Sequence, residues 1–268
     1  MRRIGSIVPG GSFMPQGVGD IVSDMKQELL NGYKTVIDSG YDYMEATVGM
    51  VMKLNEREAY ELREDSITIE ICNSFIPPEY SLISPDEKLY SFLKEAFMKM
   101  KLMGVDTVVL GSGKSRSIPD EISRQEGIYK LKEFFKRCNE FAQKSDITVA
   151  IEPLNVDETN VIHTVSDGAE LVRDIDCSHI KLLADVYHMY RSDEDMKVLS
   201  ENKDILKHIH VCHAEKRAAV KDFSSEYLKM FAKALDEMNY KGRVSLECQF
   251  DNFEEECKNS YAILRELF

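Results

Sequence analysis

The sequence predicts an α/β chain folded as one (β/α)8 barrel over residues 1–268. Three observations carry this. Eight short apolar or β-branched runs alternate with helix-like segments, a pattern that calls for parallel strand pairing and right-handed crossovers. The length of 268 residues fits one such barrel, typically about 250 residues, without remainder. Each of the last four runs also turns from apolar to polar at its C-terminal end, the end at which such barrels build their sites.

The elements follow in order. Arg3–Val8 is the first strand, followed by the Gly- and Pro-rich loop VPGGSFMPQGVGD. Ile21–Ser39 is helix-like and stops at Gly40, a natural helix terminator. Tyr41–Glu45 is the second strand, Asn55–Glu64 a short charged helix and Ile67–Cys72 the third strand. Ser84-Pro85-Asp86-Glu87 reads as a helix start, with a cap, a proline at the first position and early acid, and its helix runs to about Met103. Val105–Leu110 is the fourth strand, and Ile122–Lys144 a long amphipathic helix after GSGKSRSIPD. Ile147–Glu152 is the fifth strand, and Val165–Ile175 a helix with Ser166 and Asp167 near its start. Ile180–Asp185, His208–Cys212 and Arg243–Glu247 are the last three strands, with helices at Asp195–Asn202, Ser224–Asn239 and Phe253–Phe268. VPGGSF lacks the spacing of a dinucleotide-binding fingerprint.

Composition narrows the function. An apolar share of 43% supports a sizeable core, and a formal charge of −13 disfavours nucleic acid or an anionic membrane as partner. A small anionic substrate remains compatible, because a bound cation reverses the local field. The six cysteines form no CxxC pair and read as the reduced thiols of a cytoplasmic enzyme, with Cys72, Cys212 and Cys248 packed in strands. The start, MRRIGSIVPGGSF, lacks the apolar stretch of a signal peptide, and no segment approaches a membrane span.

The four strand ends are Glu152 in ITVAIEPLN, Asp185 in IKLLADVYH, His210 in ILKHIHVCH and Glu247 in GRVSLECQF. In a closed parallel barrel these four converge on one mixed oxygen and nitrogen site for a divalent metal. Taken singly, a Glu at a strand end is usually a solvated loop residue and a lone His a satisfied structural one. Four consecutive strands ending this way reverse that balance. His208 lies two residues before His210 on the same face, whereas His163, His179 and His213 read as surface residues or supports behind the site. Mn2+ or Mg2+ suits the oxygen-rich set, and the imidazole also admits Co2+ or Zn2+.

These segments resemble the xylose isomerase-like TIM barrel superfamily, which includes sugar and sugar phosphate isomerases and epimerases and the family-2 AP endonucleases. IEPLNVDE resembles its metal-glutamate motif, with Glu152 as ligand and Glu158 as a substrate-facing acid; DVYH matches Asp185 to a ligand and His188 to a substrate contact. HIHV and SLEC match His210 and Glu247 to ligands, GYDYMEAT carries Glu45, and GSGKSRSIP resembles a Gly/Ser-rich loop of the family. The nearest likeness is to the ketose 3-epimerases, in which an Arg after the seventh strand binds substrate oxygens; Arg217 takes that place, although RAAVKDFSS replaces the usual Pro-Gly-rich run.

The resemblance implies a sugar or sugar phosphate substrate, a metal acting as Lewis acid and template, and an enediolate reached by carbon-bound proton transfer. It also implies that Glu152 and Glu247 are both ligands and the acid/base pair, and it allows a homo-oligomer. Lys114, Arg116, Lys216 and Arg217 are candidates for a substrate phosphate, or solvated surface charges. Three alternatives stay open: a related polyol or keto-acid isomerase or dehydratase, an AP endonuclease, and a non-catalytic sugar-binding barrel. The endonuclease needs extra histidines after strands two to four, where this chain has Glu45, Cys72-Asn73-Ser74 and Gly111-Ser112-Gly113.

Overall fold

The computed structural model describes residues 2–10 and 24–268. Its elements are β1 (Ile4–Ile7), α1 (Met25–Asp38), β2 (Tyr43–Thr47), α2 (Val48–Lys53), α3 (Glu56–Glu64), β3 (Ile69–Asn73), α4 (Glu87–Met103) and β4 (Thr107–Leu110). There follow α5 (Gly113–Arg116), α6 (Arg124–Ser145), β5 (Thr148–Ile151), α7 (Val165–Ile175), β6 (Ile180–Asp185), α8 (Val186–Arg191) and α9 (Lys197–Glu201). The chain ends with β7 (Leu206–Val211), α10 (Glu226–Glu237), β8 (Arg243–Leu246) and α11 (Phe253–Leu267). All eight strands pair in parallel and in sequence order, and β8 returns to β1 to close the barrel. The predicted fold class is therefore observed.

Side-chain alternation divides the core into two parts. Tyr43, Ile71, Val109, Ala150 and Leu183 form a cluster inside the barrel. A larger cluster lies between the strands and the helices, with Leu93, Phe97, Phe134, Phe135 and Phe231 among its buried members. Buried on both faces, the strands are apolar runs rather than alternating ones.

Several boundaries differ from the sequence reading. The strand predicted at Tyr41–Glu45 starts two residues later and continues through Thr47, so Glu45 lies within β2. Asp86 caps α4 in place of Ser84: its Oδ1 accepts from the N–H of Leu89 at 2.9 Å, which leaves Pro85 before the cap. Thr164 caps α7, with Asp167 completing a capping box. The short helices α2, α5 and α8 were not predicted. Residues 11–23 of the predicted loop and first helix lie outside the described residues. Among the described residues, no helix is long and apolar enough to cross a membrane.

Candidate metal centre and its cavity

Strand register brings the ligand-type residues together. Asp185 pairs with His210 across β6 and β7, and His210 with Ser245 across β7 and β8. Glu152 and Glu247 each follow their strand by one residue. One ligand atom from each of Glu152, Asp185, His210 and Glu247 lies within 4.8 Å of the others, and all four residues are buried. All four sit at the C-terminal mouth, as their strand-end positions require.

The donor set fits a divalent cation. Glu152 Oε1, His210 Nδ1 and Glu247 Oε2 are buried without a hydrogen-bond partner among the described residues. His210 Nδ1 stands 3.4 Å from Glu152 Oε1 and 3.3 Å from Glu247 Oε2. Donors held side by side on a cation at about 2.1 Å lie about 3 Å apart, so this spacing suits one ion. Bare carboxylates packed this closely repel one another.

The electrostatics record that repulsion. Burial, then Glu247 and Glu152, push the Asp185 carboxyl up to about 8. Burial and then Glu247 also raise Glu152. For His210 burial opposes the charge, but Glu247, Glu45 and Glu152 outweigh it and hold the imidazolium well above its usual range. A folded-state value raised above the unfolded one gives stability that is fully present below the unfolded value and is lost as pH rises through the folded one. For Asp185 that window runs from 3.8 to about 8. The chelated protein is therefore expected to unfold at progressively lower temperature between pH 5 and pH 8, while cation affinity rises as the competing protons leave. Thermal unfolding with and without Mn2+ checks this; a melting temperature that climbs with pH in the chelated protein would contradict it.

A cavity of about 310 Å³ opens beside these residues, lined in part by Glu152, Glu158, Arg217, Glu247, Gln249 and Lys114. Arg217 Nη1 donates to Glu158 Oε1 at 2.9 Å, and its guanidinium lies 5.0 Å from the Tyr187 ring centroid. Two of the three residues anticipated to face substrate thus form one ion pair in the cavity wall. His188 does not line the cavity. Its Nδ1 accepts from the N–H of Asn155 at 3.1 Å and pairs with Asn155 Nδ2 at 3.0 Å, which leaves Nε2 buried and unpartnered. Asp185 Oδ1 caps α8 by accepting from the N–H of His188 at 2.9 Å.

One expectation is corrected. Arg116 is neither a phosphate ligand nor a solvated charge: it is fully buried, donating to Glu152 O at 2.6 Å and Ile162 O at 3.2 Å. Burial lowers its guanidinium to about 10, against the pull of Glu152 and Glu158. His213, read as a surface residue or a support, is buried beside Glu215 and Ser224. Lys114 and Lys216 are exposed, and all six cysteines are free.

Other site features were missed. A Cβ at Gly111 would stand 2.5 Å from Glu152 Oε2, so a side chain there would push that carboxylate aside. Asn73, two residues beyond the inward-facing Ile71, is 2% exposed with both amide atoms unpartnered. Glu45 is fully buried between His208 and His210, whose Nε2 atoms lie 3.2 and 3.0 Å from its two oxygens. The sequence carries Glu45 in GYDYMEAT but gives no sign of this contact.

Known proteins share this architecture. A family profile described as Xylose isomerase-like TIM barrel matches residues 34–267. A probable ketose 3-epimerase of Synechocystis sp. is 33% identical over 129 residues, covering 48% of this chain and 44% of the relative. A D-psicose 3-epimerase of Enterocloster bolteae is 26% identical over 166 residues, covering 59% of this chain and 52% of the relative. The chain thus spans about half the length of the curated relatives it matches. The solved D-allulose 3-epimerase from Methylomonas sp., in complex with D-allulose, superposes with a TM-score of 0.80 at 16% identity, covering 100% of this chain and 97% of that one. At that identity the superposition speaks for the fold.

Proposed function

The chain belongs to the xylose isomerase-like TIM barrel family, and from that premise we propose that it is a metal-dependent sugar epimerase, an isomerase acting on a ketose or sugar phosphate in the cytoplasm. The observation that carries this reading is the meeting of four buried ligand-type side chains, three of them with unpartnered donor atoms, beside a cavity. Glu152, Asp185, His210 and Glu247 would hold the cation, with Mn2+ or Mg2+ suited to the oxygen-rich set. When bound, it supplies Lewis acidity that makes a C–H next to a carbonyl easier to ionise.

The chain's own groups then divide the work. Glu152, raised by its burial, is a fit base for a proton on the carbon beside the carbonyl. Glu247 reaches the site from β8 and returns a proton to the opposite face of the resulting enediolate, inverting the centre. Glu158 and Arg217 present an acceptor and a donor to substrate hydroxyls along the cavity wall. His188, fixed through Nδ1, keeps an unpartnered Nε2–H outside the cavity lining, and a role at the substrate needs the site to close on it. Against the endonuclease reading stands the absence of histidine along β2 and at the ends of β3 and β4, where Glu45, Asn73 and Gly111 stand.

Deuterium exchange tests the proposal. The Mn2+-reconstituted protein is incubated in D2O with free and phosphorylated ketoses. One deuterium is expected on the carbon beside the carbonyl of the true substrate, with epimer formation, and chelation should abolish both. A protein with stoichiometric metal that exchanges no ketose would refute the activity, and loss of water would redirect it to a dehydratase.

A further inference from the structure

Glu45 and His210 belong to β2 and β7, which are separated in the closed barrel by β1 and β8. Their contact therefore crosses the barrel interior. Each Glu45 oxygen faces one imidazole, Oε1 at 3.0 Å from His210 Nε2 and Oε2 at 3.2 Å from His208 Nε2. An ionised carboxylate only accepts hydrogen bonds, so both Nε2 atoms carry the hydrogen. With Nε2 of His210 holding its hydrogen against Glu45, Nδ1 is the nitrogen that gives up its proton to a cation and supplies the lone pair. Nδ1 is the atom that lies beside Glu152 and Glu247 with no hydrogen-bond partner.

We propose that Glu45 is a positioning residue that selects the His210 tautomer and ring orientation, so that Nδ1 is presented as the metal donor; this rests on the metal centre proposed above. A carboxylate bonded to the far nitrogen of a ligating histidine fixes the ring and increases its basicity. Glu45 is itself held from below. His208 Nε2 also lies 3.1 Å from Ser245 Oγ, which lies 3.0 Å from the Tyr43 hydroxyl. The Tyr43 ring is flanked by the Arg3 and Arg243 guanidinium groups, 5.3 and 5.6 Å from its centroid. The chain of contacts thus runs from the barrel floor to His210. Glutamine at this position would offer one acceptor oxygen and could receive only one of the two imidazole N–H groups.

The cluster of Glu45, His208 and His210 also has the composition of a cation site in its own right. The two sites make opposite demands on His210: the proposed centre uses Nδ1, whereas a cation at Glu45 would take Nε2. Zn2+, which is diamagnetic, is titrated into the full chain and into Glu45→Leu and Glu45→Gln, with nitrogen-15 histidine spectra recorded on each loaded protein. The expected result is His210 with Nδ1 coordinated and Nε2 protonated in the wild type and in Glu45→Gln. Affinity should fall about 10–100-fold in Glu45→Leu and less in Glu45→Gln, which still accepts from Nε2. Coordination through Nε2, or Zn2+ affinity unchanged in Glu45→Leu, would overturn the assignment. If Glu45→Leu does not fold, the wild-type spectrum alone decides. A wild type that binds no cation would overturn the metal centre together with this inference, whereas binding with the wrong nitrogen would overturn the inference alone.

Discussion

Glu247→Gln is expected to keep the barrel, bind the cation more weakly and lose about 10²–10⁴-fold in substrate deuterium exchange at saturating metal. Glu247 is 3% exposed, and its Oε2 lies 3.3 Å from His210 Nδ1 without a hydrogen-bond partner. The amide keeps an oxygen donor of similar shape but cannot carry a proton at neutral pH. It also removes one of the charges that raise Asp185 and Glu152. The metal-free variant should therefore unfold no earlier than the wild type at pH 8. Exchange kinetics and thermal unfolding on one preparation separate the effects. A variant that retains metal and near-normal turnover would show that another group carries the proton.

The second large effect falls on stability. Arg116→Ala is expected to destabilise the protein by roughly 3–5 kcal/mol and to impair exchange, because it strands two buried carbonyls and removes a buried cation beside two acids. Arg116 bonds the carbonyls of Glu152 and Ile162, tying the end of β5 to the loop that leads into α7. Its substitution loosens the backbone of the proposed base itself. Urea unfolding provides the measurement. A loss below about 1 kcal/mol would mean that water or a neighbour replaces the guanidinium contacts.

The barrel and the four proposed ligands were legible for the same reason. Strands buried on both faces read as apolar runs, so Glu152, Asp185, His210 and Glu247 stand out where those runs end. Arg116 was misread because GSGKSRS has the composition of a solvated loop, while the short helix α5 turns its arginine inward under β5. Glu45 was visible as a residue, but its partners are 163 and 165 positions away, and only barrel closure brings them together. Gly111 leaves no trace of the carboxylate that fills its missing Cβ. The cap of α4 is Asp86 rather than Ser84 because two polar residues, one on each side of Pro85, both suit a helix start, and only the hydrogen bond to Leu89 distinguishes them.

In the proposed centre, Glu152, Asp185, His210 and Glu247 hold one divalent cation at the mouth of the barrel. Anomalous scattering from a Mn2+-soaked crystal tests it most directly. One peak is expected per chain, within about 2.0–2.4 Å of a carboxylate oxygen from each acid and of His210 Nδ1. A map with no peak there, or with its peak between Glu45 and His208, would contradict the claim.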